Sequence, residues 1–332
     1  MSTTATPAAR RLSLDTPPRV VSTTPTGEVS PDEAATVALF GFVDAANARD
    51  TAMLAVGDQG RVHVDVYPAH GTARGSVVFV GGLSNHALGS ASFEHALSQR
   101  GWNVVGVDLR GHGRSSGRRG DFTIPMVLED LAAAGAYAKD RFGGPIAVMG
   151  SSLGGFYALC AANAIEGFEV AVSHWIYLPN EPITKKDARM RPLALLLDKV
   201  APGLRLSTLN VADWNGVTED PELRQKCFDD PLMAFRYTAR ALASGFTYQP
   251  ERPLTKLRIP HLVVLGEHDT MTPLPYTERI FGLLEGDKEW RTIPGAGHMG
   301  GLVEHQDEML AIVDDFLGRR LAGAEADTVT TP

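Results

Sequence analysis

Five apolar runs without alternating polar positions dominate the chain after residue 75. They lie at 77–80, 104–107, 146–149, 170–176 and 262–265. Such runs are typical of strands that are buried on both faces of a parallel sheet. Helical patterns separate or follow them, at 93–99, 125–141, 153–164, 275–284 and 302–317. This alternation predicts a doubly wound α/β sheet, with one further strand at 289–293. A hairpin is predicted before the runs, at 52–56 and 61–67.

The two ends of the chain follow other patterns. Residues 1–29 are rich in Ser, Thr and Pro, and we predict a mobile tail there. Ser30 and Glu33 form a capping box with a proline at the first helical position, which predicts a helix over 31–47. The polar segment 321–332 is expected to be a frayed tail.

The third apolar run ends in a Gly-x-Ser-x-Gly motif that is centred on Ser152. An apolar helical pattern follows the motif. Strand, sharp turn and helix are the context of a nucleophile elbow, in which the serine hydroxyl stands above the sheet. The flanking Gly150 and Gly154 remove side chains that would clash at the strained turn. A second copy of the motif is centred on Ser115. No strand runs directly into it and two arginines follow it, so we interpret it as a surface loop.

A serine hydroxyl needs a base, and His298 is the best candidate among ten histidines. It lies in a glycine-containing loop between the strand at 289–293 and the last helix. The acid that orients the base is predicted to be Asp269, just beyond the run at 262–265. Glu267 and Glu181 are the competing acids. The chain order serine, acid, histidine matches the order found in this type of fold.

Two backbone N–H groups are predicted to stabilise the oxyanion. The N–H of Leu153 stands at the start of a helix, directly after the serine. The second donor should come from the loop after the first apolar run, where we choose the N–H of Leu83. These groups predict acyl transfer to water through an acyl-enzyme. The scheme implies no metal or organic cofactor.

The alternation of strands and helices is interrupted at 182–253. This segment reads as helices without an intervening strand, at 189–200, 221–228 and 231–243. It is either a helical decoration or a cap over the strand ends, where open α/β sheets bind their ligands. We favour the cap, because the segment directly follows a strand end on the side where Ser152 should emerge. The hydrolase core then comprises 30–181 and 254–320.

Together, these motifs resemble the α/β-hydrolase superfamily, and within it the monoacylglycerol lipase and lysophospholipase-like branch. The resemblance rests on Asp-Leu-Arg-Gly-His-Gly-Arg-Ser at 108–115, Gly-Glu-His-Asp at 266–269, and Gly-His at 297–298. It spans about residues 76–317. It implies an α/β-hydrolase fold with an inserted helical cap, a Ser-His-Asp triad, and hydrolysis of a carboxylic ester.

The resemblance also assigns a bracing role to three residues of the second loop, Asp108, Arg110 and His112. The chain departs from the branch at two points. Two glycines, ending at Gly82, stand where many relatives carry His-Gly, and Ser151 stands where many carry a histidine or another large residue. Neither departure removes a required donor or the nucleophile.

Composition limits the classes of function. The chain has 332 residues, a hydrophobic fraction of 44% and a net charge of −8, which argues against a general nucleic-acid surface. Cys160 and Cys227 form neither a metal pattern nor a disulfide framework. No apolar run approaches a membrane span, and the N-terminus lacks the apolar core of a signal peptide. We therefore expect a cytoplasmic protein without a transmembrane segment.

The leucine-rich cap predicts a hydrophobic monoester as the small-molecule substrate. The same triad also serves thioesterases, lactonases, carbon–carbon bond hydrolases and peptidases, and the fold can be kept as a non-catalytic ligand receptor. The cap also holds four cations, Lys185, Lys186, Arg189 and Arg191. A solvated helix end explains them best, and attraction of an anionic substrate or lipid surface is the alternative. The sequence leaves the oligomeric state open.

Overall fold

The computed structural model describes residues 11–183, 185–211 and 213–321. Its strands are β1 (Leu12–Ser13), β2 (Val20–Thr24), β3 (Asp50–Val56), β4 (Gly60–Tyr67), β5 (Ser76–Val80), β6 (Asn103–Asp108), β7 (Ile146–Ser151), β8 (Ile165–Glu166), β9 (Val170–His174), β10 (Arg205–Ser207), β11 (Arg236–Thr238), β12 (His261–Gly266) and β13 (Lys288–Ile293). Its helices are α1 (Pro31–Phe40), α2 (Val43–Asn47), α3 (Ala91–Ser98), α4 (Ile124–Phe142), α5 (Leu153–Ala164), α6 (Lys185–Val200), α7 (Thr208–Val211), α8 (Trp214–Val217), α9 (Pro221–Asp229), α10 (Ala239–Thr247), α11 (Leu274–Leu283) and α12 (Gln306–Leu321).

A nine-stranded sheet of the described residues runs in the order β13-β12-β9-β7-β5-β6-β4-β3-β2. The pairings from β13 to β6 are parallel, and those from β6 to β2 are antiparallel. Each predicted run forms one of these strands, and β3 with β4 is the predicted hairpin. The α/β-hydrolase fold is thereby confirmed. Because β5, β7, β12 and β13 are parallel, the loops that follow them meet at one edge of the sheet.

Side chains of the parallel strands alternate between two hydrophobic layers. Val78 and Val80 of β5 belong to the layer that contains residues of α4 and α5. Val77 and Phe79 belong to the layer that contains residues of α3 and α12. Helices therefore cover both faces of the sheet, which is why its strands carry no polar alternation.

The prediction of a tail over 1–29 is wrong for the part that the structure describes. Strand β1 pairs in parallel with β8, and β2 extends the β3–β4 hairpin as an antiparallel edge strand. The side chain of Leu14 is 1% exposed and packs in the hydrophobic core. A Val-Val-Ser-Thr-Thr run has high strand propensity and pairs with the edge that β3 would otherwise leave open. Residues 1–10 and 322–332, within the two predicted tails, lie outside the described residues.

The predicted helix over 31–47 is two helices. The capping box is present, because Glu33 N–H donates to Ser30 Oγ at 3.3 Å and Ser30 N–H donates to the Glu33 carboxylate at 2.7 Å. Helix α1 ends at Phe40, and its C-cap Gly41 adopts a left-handed φ of +79°. A glycine in this conformation is a common helix C-cap, and it turns the chain before α2 begins.

The predicted helix over 231–243 is also wrong. Strand β11 pairs antiparallel with β10 in this region, and α10 begins only at Ala239. Thr238 is the N-cap of α10, since its hydroxyl accepts the N–H of Ala241 at 3.2 Å. Tyr237 is buried and its hydroxyl reaches the loops after β5 and β6. The residues at 182–253, called the cap segment below, thus contain a short strand pair between helices.

Candidate active site

Ser152 stands at the turn between β7 and α5. Its backbone has φ +53° and ψ −126°, a conformation that L residues rarely adopt. A Cβ on Gly150 would overlap the carbonyl of Gly154, and one on Gly154 would overlap that of Val80. The two glycines of the motif are therefore required by the close approach of backbones, as the elbow interpretation predicted.

The structure brings Ser152 together with both predicted partners. The Nε2 atom of His298 lies 2.8 Å from Ser152 Oγ, and its Nδ1 atom lies 2.8 Å from Asp269 Oδ2. His298 is 3% exposed and Asp269 is 6% exposed. The other oxygen of Asp269 accepts the N–H of Thr272 at 2.9 Å, which fixes the carboxylate. With Nδ1–H donated to Asp269, Nε2 is free to accept the serine proton.

The competing acids contact other groups. The Glu267 carboxylate accepts the N–H of Gly295 at 2.9 Å and so helps to hold the loop that carries His298. The Glu181 carboxylate is paired with Arg279, and its carbonyl accepts the hydroxyl of Tyr276 at 2.7 Å. Both contacts are structural.

The loop after β5 runs directly against the serine. A Cβ on Gly82 would lie 2.7 Å from Ser152 Cβ, so this position has room only for glycine. Leu83 follows, and Ser84 then adopts φ +67° with its N–H donated to the Tyr237 hydroxyl at 2.8 Å. Leu153 is the first residue of α5. The oxyanion roles of the Leu83 and Leu153 N–H groups remain predictions.

The loop after β6 braces the strand ends. The Asp108 carboxylate accepts two backbone N–H groups, those of Ala87 and Arg114, at 2.7 Å each. Arg110 donates to the buried Asp130 at 2.5 Å. His112 Nε2 lies 2.8 Å from the Tyr237 hydroxyl, which links this loop to the cap segment. Burial lowers the pKa of His112 to about 4, so the ring is neutral at neutral pH.

The second Gly-x-Ser-x-Gly copy belongs to the same loop. Ser115 is half-buried, and its hydroxyl donates to the Asp108 carbonyl at 2.5 Å while it accepts the N–H of His63 at 2.7 Å. Its environment is a turn without a preceding strand or a following helix. The loop interpretation is confirmed, although this hydroxyl is engaged rather than solvated.

His174, at the end of β9, is a neighbour of the triad that the sequence analysis missed. Its ring stacks on that of His298 with centroids 6.4 Å apart, and its Nδ1 atom lies 3.0 Å from Ser151 Oγ. Burial, followed by the proximity of His298, lowers the pKa of His174 to about 4. The His174 ring is therefore neutral at neutral pH and places no charge beside His298. The sequence could have indicated His174, because the run at 170–176 ends at the same edge of the sheet as the run that precedes Ser152.

Two cavities meet at the triad. The larger has a volume of about 440 Å³, borders Ser152, Gly82 and Leu83, and is lined mainly by apolar side chains. The smaller has a volume of about 210 Å³ and borders His298. Besides His298, its lining includes four ionisable side chains, His268, His305, Glu219 and Glu304. Val217, Thr218 and Met299 border both cavities.

One group of residues has the donor set of a metal site. Atoms of Glu33, His63 and Asp65 lie within 4.8 Å of one another and are buried. The guanidinium of Arg49 already lies between them, 2.7 Å from Glu33 and 3.1 Å from Asp65. An arginine in this place supplies the positive charge that a metal ion would supply, so this cluster is an ion-pair network.

The remaining expectations concern the surface and the cysteines. Cys160 and Cys227 form no disulfide in the described structure. Arg189 is exposed, and Arg191 donates to Asn180 at 3.2 Å, which fits a solvated helix face. The side chains of the two lysines of this cluster lie outside the described part. No helix in the described ranges has both the length and the apolar character that crossing a membrane requires.

Comparison with known proteins identifies the family. The family model described as serine aminopeptidase, S33, matches residues 71–302, which is more than half of the chain. The monoacylglycerol lipase of Mycolicibacterium smegmatis is 28% identical over 265 residues, covering 77% of this chain and 91% of that protein. The structure is similar to the monoacylglycerol lipase of Paleococcus ferrophilus, with a TM-score of 0.64, 25% identity, and coverage of 78% and 99%. It is also similar in fold to a monoglyceride lipase variant from Saccharomyces cerevisiae, with a TM-score of 0.66, 22% identity, and coverage of 80% and 94%. The chain therefore belongs to the serine aminopeptidase S33 family of α/β-hydrolase enzymes and resembles the monoacylglycerol lipases named above.

Proposed function

We propose that this protein hydrolyses a hydrophobic carboxylic monoester through an acyl-enzyme on Ser152. The observation that carries the proposal is the pair of 2.8 Å contacts that link Ser152 to His298 and His298 to Asp269. A serine, an imidazole and a carboxylate in this arrangement are the parts that acyl transfer needs. The matching relatives named as monoacylglycerol lipases support the same reaction class.

In this mechanism His298 removes the proton of Ser152 as the hydroxyl attacks the ester carbonyl. Asp269 holds the imidazole in the required tautomer and stabilises the imidazolium that forms. The N–H groups of Leu83 and Leu153 donate to the oxyanion of the tetrahedral intermediate. His298 then protonates the departing alcohol, and the same ring activates the water that releases the acid.

The two cavities suggest which part of the ester lies where. The departing alcohol must lie near His298, because that ring gives it a proton. The smaller cavity, which borders His298 and has polar walls, then takes the alcohol. The larger apolar cavity, which borders Ser152, takes the acyl chain. Its volume of about 440 Å³ is in the lower part of the range of small-molecule sites, about 300–1,000 Å³. A medium-length acyl chain on a small polar alcohol fits this division.

The family description raises aminopeptidase activity as a second candidate. An aminopeptidase must bind a free ammonium group on the acyl side of the scissile bond. The carboxylate that lines the larger cavity is Asp230, and it is already engaged. It accepts the Thr36 hydroxyl at 2.7 Å and the Leu232 N–H at 2.9 Å, and it lies 2.8 Å from His86 Nε2. This arrangement favours an uncharged acyl group.

A substrate panel tests the proposal. Purified protein is assayed on p-nitrophenyl esters of increasing acyl length, on monoacylglycerols and on aminoacyl p-nitroanilides. We expect turnover of the esters and glycerides, with kcat reduced on the order of 10⁶-fold by Ser152→Ala. Ser115→Ala, in the other copy of the motif, is the matched control and should keep turnover.

Covalent labelling gives an independent readout of the nucleophile. A fluorophosphonate probe should modify the wild-type protein and the Ser115→Ala variant, and intact mass spectrometry should show no label on Ser152→Ala. Ester turnover by Ser152→Ala at near wild-type rates would rule out the mechanism. Preferred cleavage of the anilides would replace esterase by aminopeptidase activity.

A further inference from the structure

We propose that Phe40 and Phe42, in the N-terminal helical segment, form the wall of the acyl cavity that sets its chain-length preference. The proposal rests on the proposed function, because it assigns the larger cavity to the acyl chain. It adds a determinant of specificity that lies outside the matched family region, which begins at residue 71.

The break between α1 and α2 creates this wall. Residues at positions i and i+2 of a continuous helix do not face each other. Phe40 is the last residue of α1, Gly41 adopts φ +79°, and Phe42 is the N-cap of α2. The two rings therefore come to the same side and stack, with centroids 5.5 Å apart and an angle of 10° between their planes.

Both rings line the cavity that contains Ser152. They are half-buried, and Phe42 also packs against the core layer of α3 and α12. Phe93 of α3 and Leu223 of α9 line the same cavity. An acyl chain that enters from Ser152 is thus enclosed by the hydrolase core, by the cap segment and by this aromatic pair.

The segment that carries the rings is anchored on two sides. Glu33 of α1 is 1% exposed and pairs with Arg49 at 2.7 Å and with Arg114 at 2.9 Å. Thr36, one turn later, donates its hydroxyl to Asp230 of the cap segment at 2.7 Å. These buried contacts hold α1 against both the core and the cap segment, so the aromatic wall has a fixed position.

The wall lies outside the part of the chain that the family model matches. Residues 30–47 precede that region, which begins at residue 71. Relatives without such a segment must close the acyl cavity differently, which would give this protein a chain-length preference of its own.

Acyl-chain profiles of matched variants test the inference. We measure kcat/KM on p-nitrophenyl esters from acetate to tetradecanoate for the wild type, Phe40→Ala, Phe42→Ala, Phe40→Trp and Val43→Ala. Each buried methylene is worth about fourfold in kcat/KM until the chain meets the wall. Both alanine variants should move the optimum about two or more methylenes longer, and Phe40→Trp should move it shorter. Val43 is 51% exposed and is not part of the wall, so its variant should match the wild type.

A binding measurement makes the test independent of turnover. Calorimetric titration of the Ser152→Ala protein with fatty acids of 8 to 14 carbons should give the same order of chain-length preference as the ester assay. Adding Phe40→Ala or Phe42→Ala should shift the tightest binding to longer chains. Circular dichroism and fluorophosphonate titration of the Ser152 proteins establish that each variant is folded. The proposal would be overturned if all Phe variants were active with the wild-type dependence of kcat/KM on acyl-chain length. Unchanged fatty-acid affinities would overturn it as well. If no ester is turned over, the proposed function fails. The fatty-acid affinities alone then show whether Phe40 and Phe42 set the chain-length preference.

Discussion

Replacing His261 by glutamine should make the protein less sensitive to acid. His261 is the first residue of β12 and is 0% exposed. Its Nε2 atom lies 2.8 Å from Ser173 Oγ, whose own proton is donated to the Gly155 carbonyl at 2.7 Å. The Nε2 atom is therefore the donor, and Nδ1 has no hydrogen-bond partner among the described residues. Protonation of the ring would place a charge in an apolar interior without an acceptor.

The sign and size of the effect follow from the pKa. Burial lowers the pKa of His261 to about 4, against an ordinary value near 6.5 in the unfolded chain. Well above pH 6.5 the ring is neutral in both states and has no effect on the pH dependence. As the pH falls from about 6.5 to about 4, the unfolded chain binds a proton that the folded protein does not, so the folded state loses stability. At pH 5 the loss from this one ring is about 2 kcal/mol.

Urea denaturation followed by tryptophan fluorescence, at pH values from 7.5 to 4.5, measures the effect. Glutamine keeps an N–H donor near the position of Nε2 but does not titrate. The free energy of unfolding of His261→Gln should therefore fall less than that of the wild type between pH 7.5 and pH 5, by about 2 kcal/mol. His112 and His174, whose pKa values are also lowered to about 4, contribute equally to both proteins.

The exposed His70 supplies the control, and His70→Gln should follow the wild-type pH profile. A constant offset between His261→Gln and the wild type is expected from lost packing and does not affect the test. Parallel profiles for these two proteins across the whole pH range would refute the reasoning, because they would mean that the buried ring titrates alike in both states.

Three further substitutions test the site and its support. Asp269→Asn should lower kcat on a medium-chain ester by about 10⁴-fold without unfolding the protein, and a loss below tenfold would contradict its triad role. Gly41→Ala should lower the free energy of unfolding in urea by about 1 kcal/mol, because Gly41 has a left-handed φ. Gly245→Ala, in open space on α10, is the control and should not lower it. Equal effects of the two substitutions would argue against backbone strain at Gly41. Glu33→Gln should cost about 3 kcal/mol in the same assay, since the buried Arg49 then keeps only Asp65 and Arg114 loses its carboxylate, whereas Asp32→Asn, exposed on the same helix, should cost little.

The sheet and the elbow could be predicted because their signals are local. Strands covered on both faces need continuous apolar runs, and five such runs fixed the order of strand and helix. The elbow needs glycines at defined offsets from Ser152, and the overlaps found at Gly150 and Gly154 explain why. His298 and Asp269 could be proposed because each follows a parallel strand, and the ends of parallel strands converge.

The errors arose where tertiary contacts or single residues outweigh local pattern. Gly41 interrupts a helix whose flanking residues are otherwise compatible with one, because its left-handed conformation ends α1 after Phe40. The 236–238 segment is a strand because it pairs with β10, which lies far away along the chain. Leu14 is buried by packing between α4 and the loop at Gly167, a contact that composition does not reveal.

The cap segment and the loop after β5 are tied together by buried polar pairs. Ser84, 0% exposed and held at φ +67°, donates its N–H to Tyr237, and His86 lies 2.8 Å from Asp230. Each buried polar group left without its partner costs about 1–3 kcal/mol, so displacing the cap segment alone would be unfavourable. Leu83 immediately precedes Ser84, so the contact between Ser84 and Tyr237 also restrains the backbone of Leu83. Through Leu83 and Asp230, which both line the larger cavity, the same hydrogen bonds therefore also hold part of its wall.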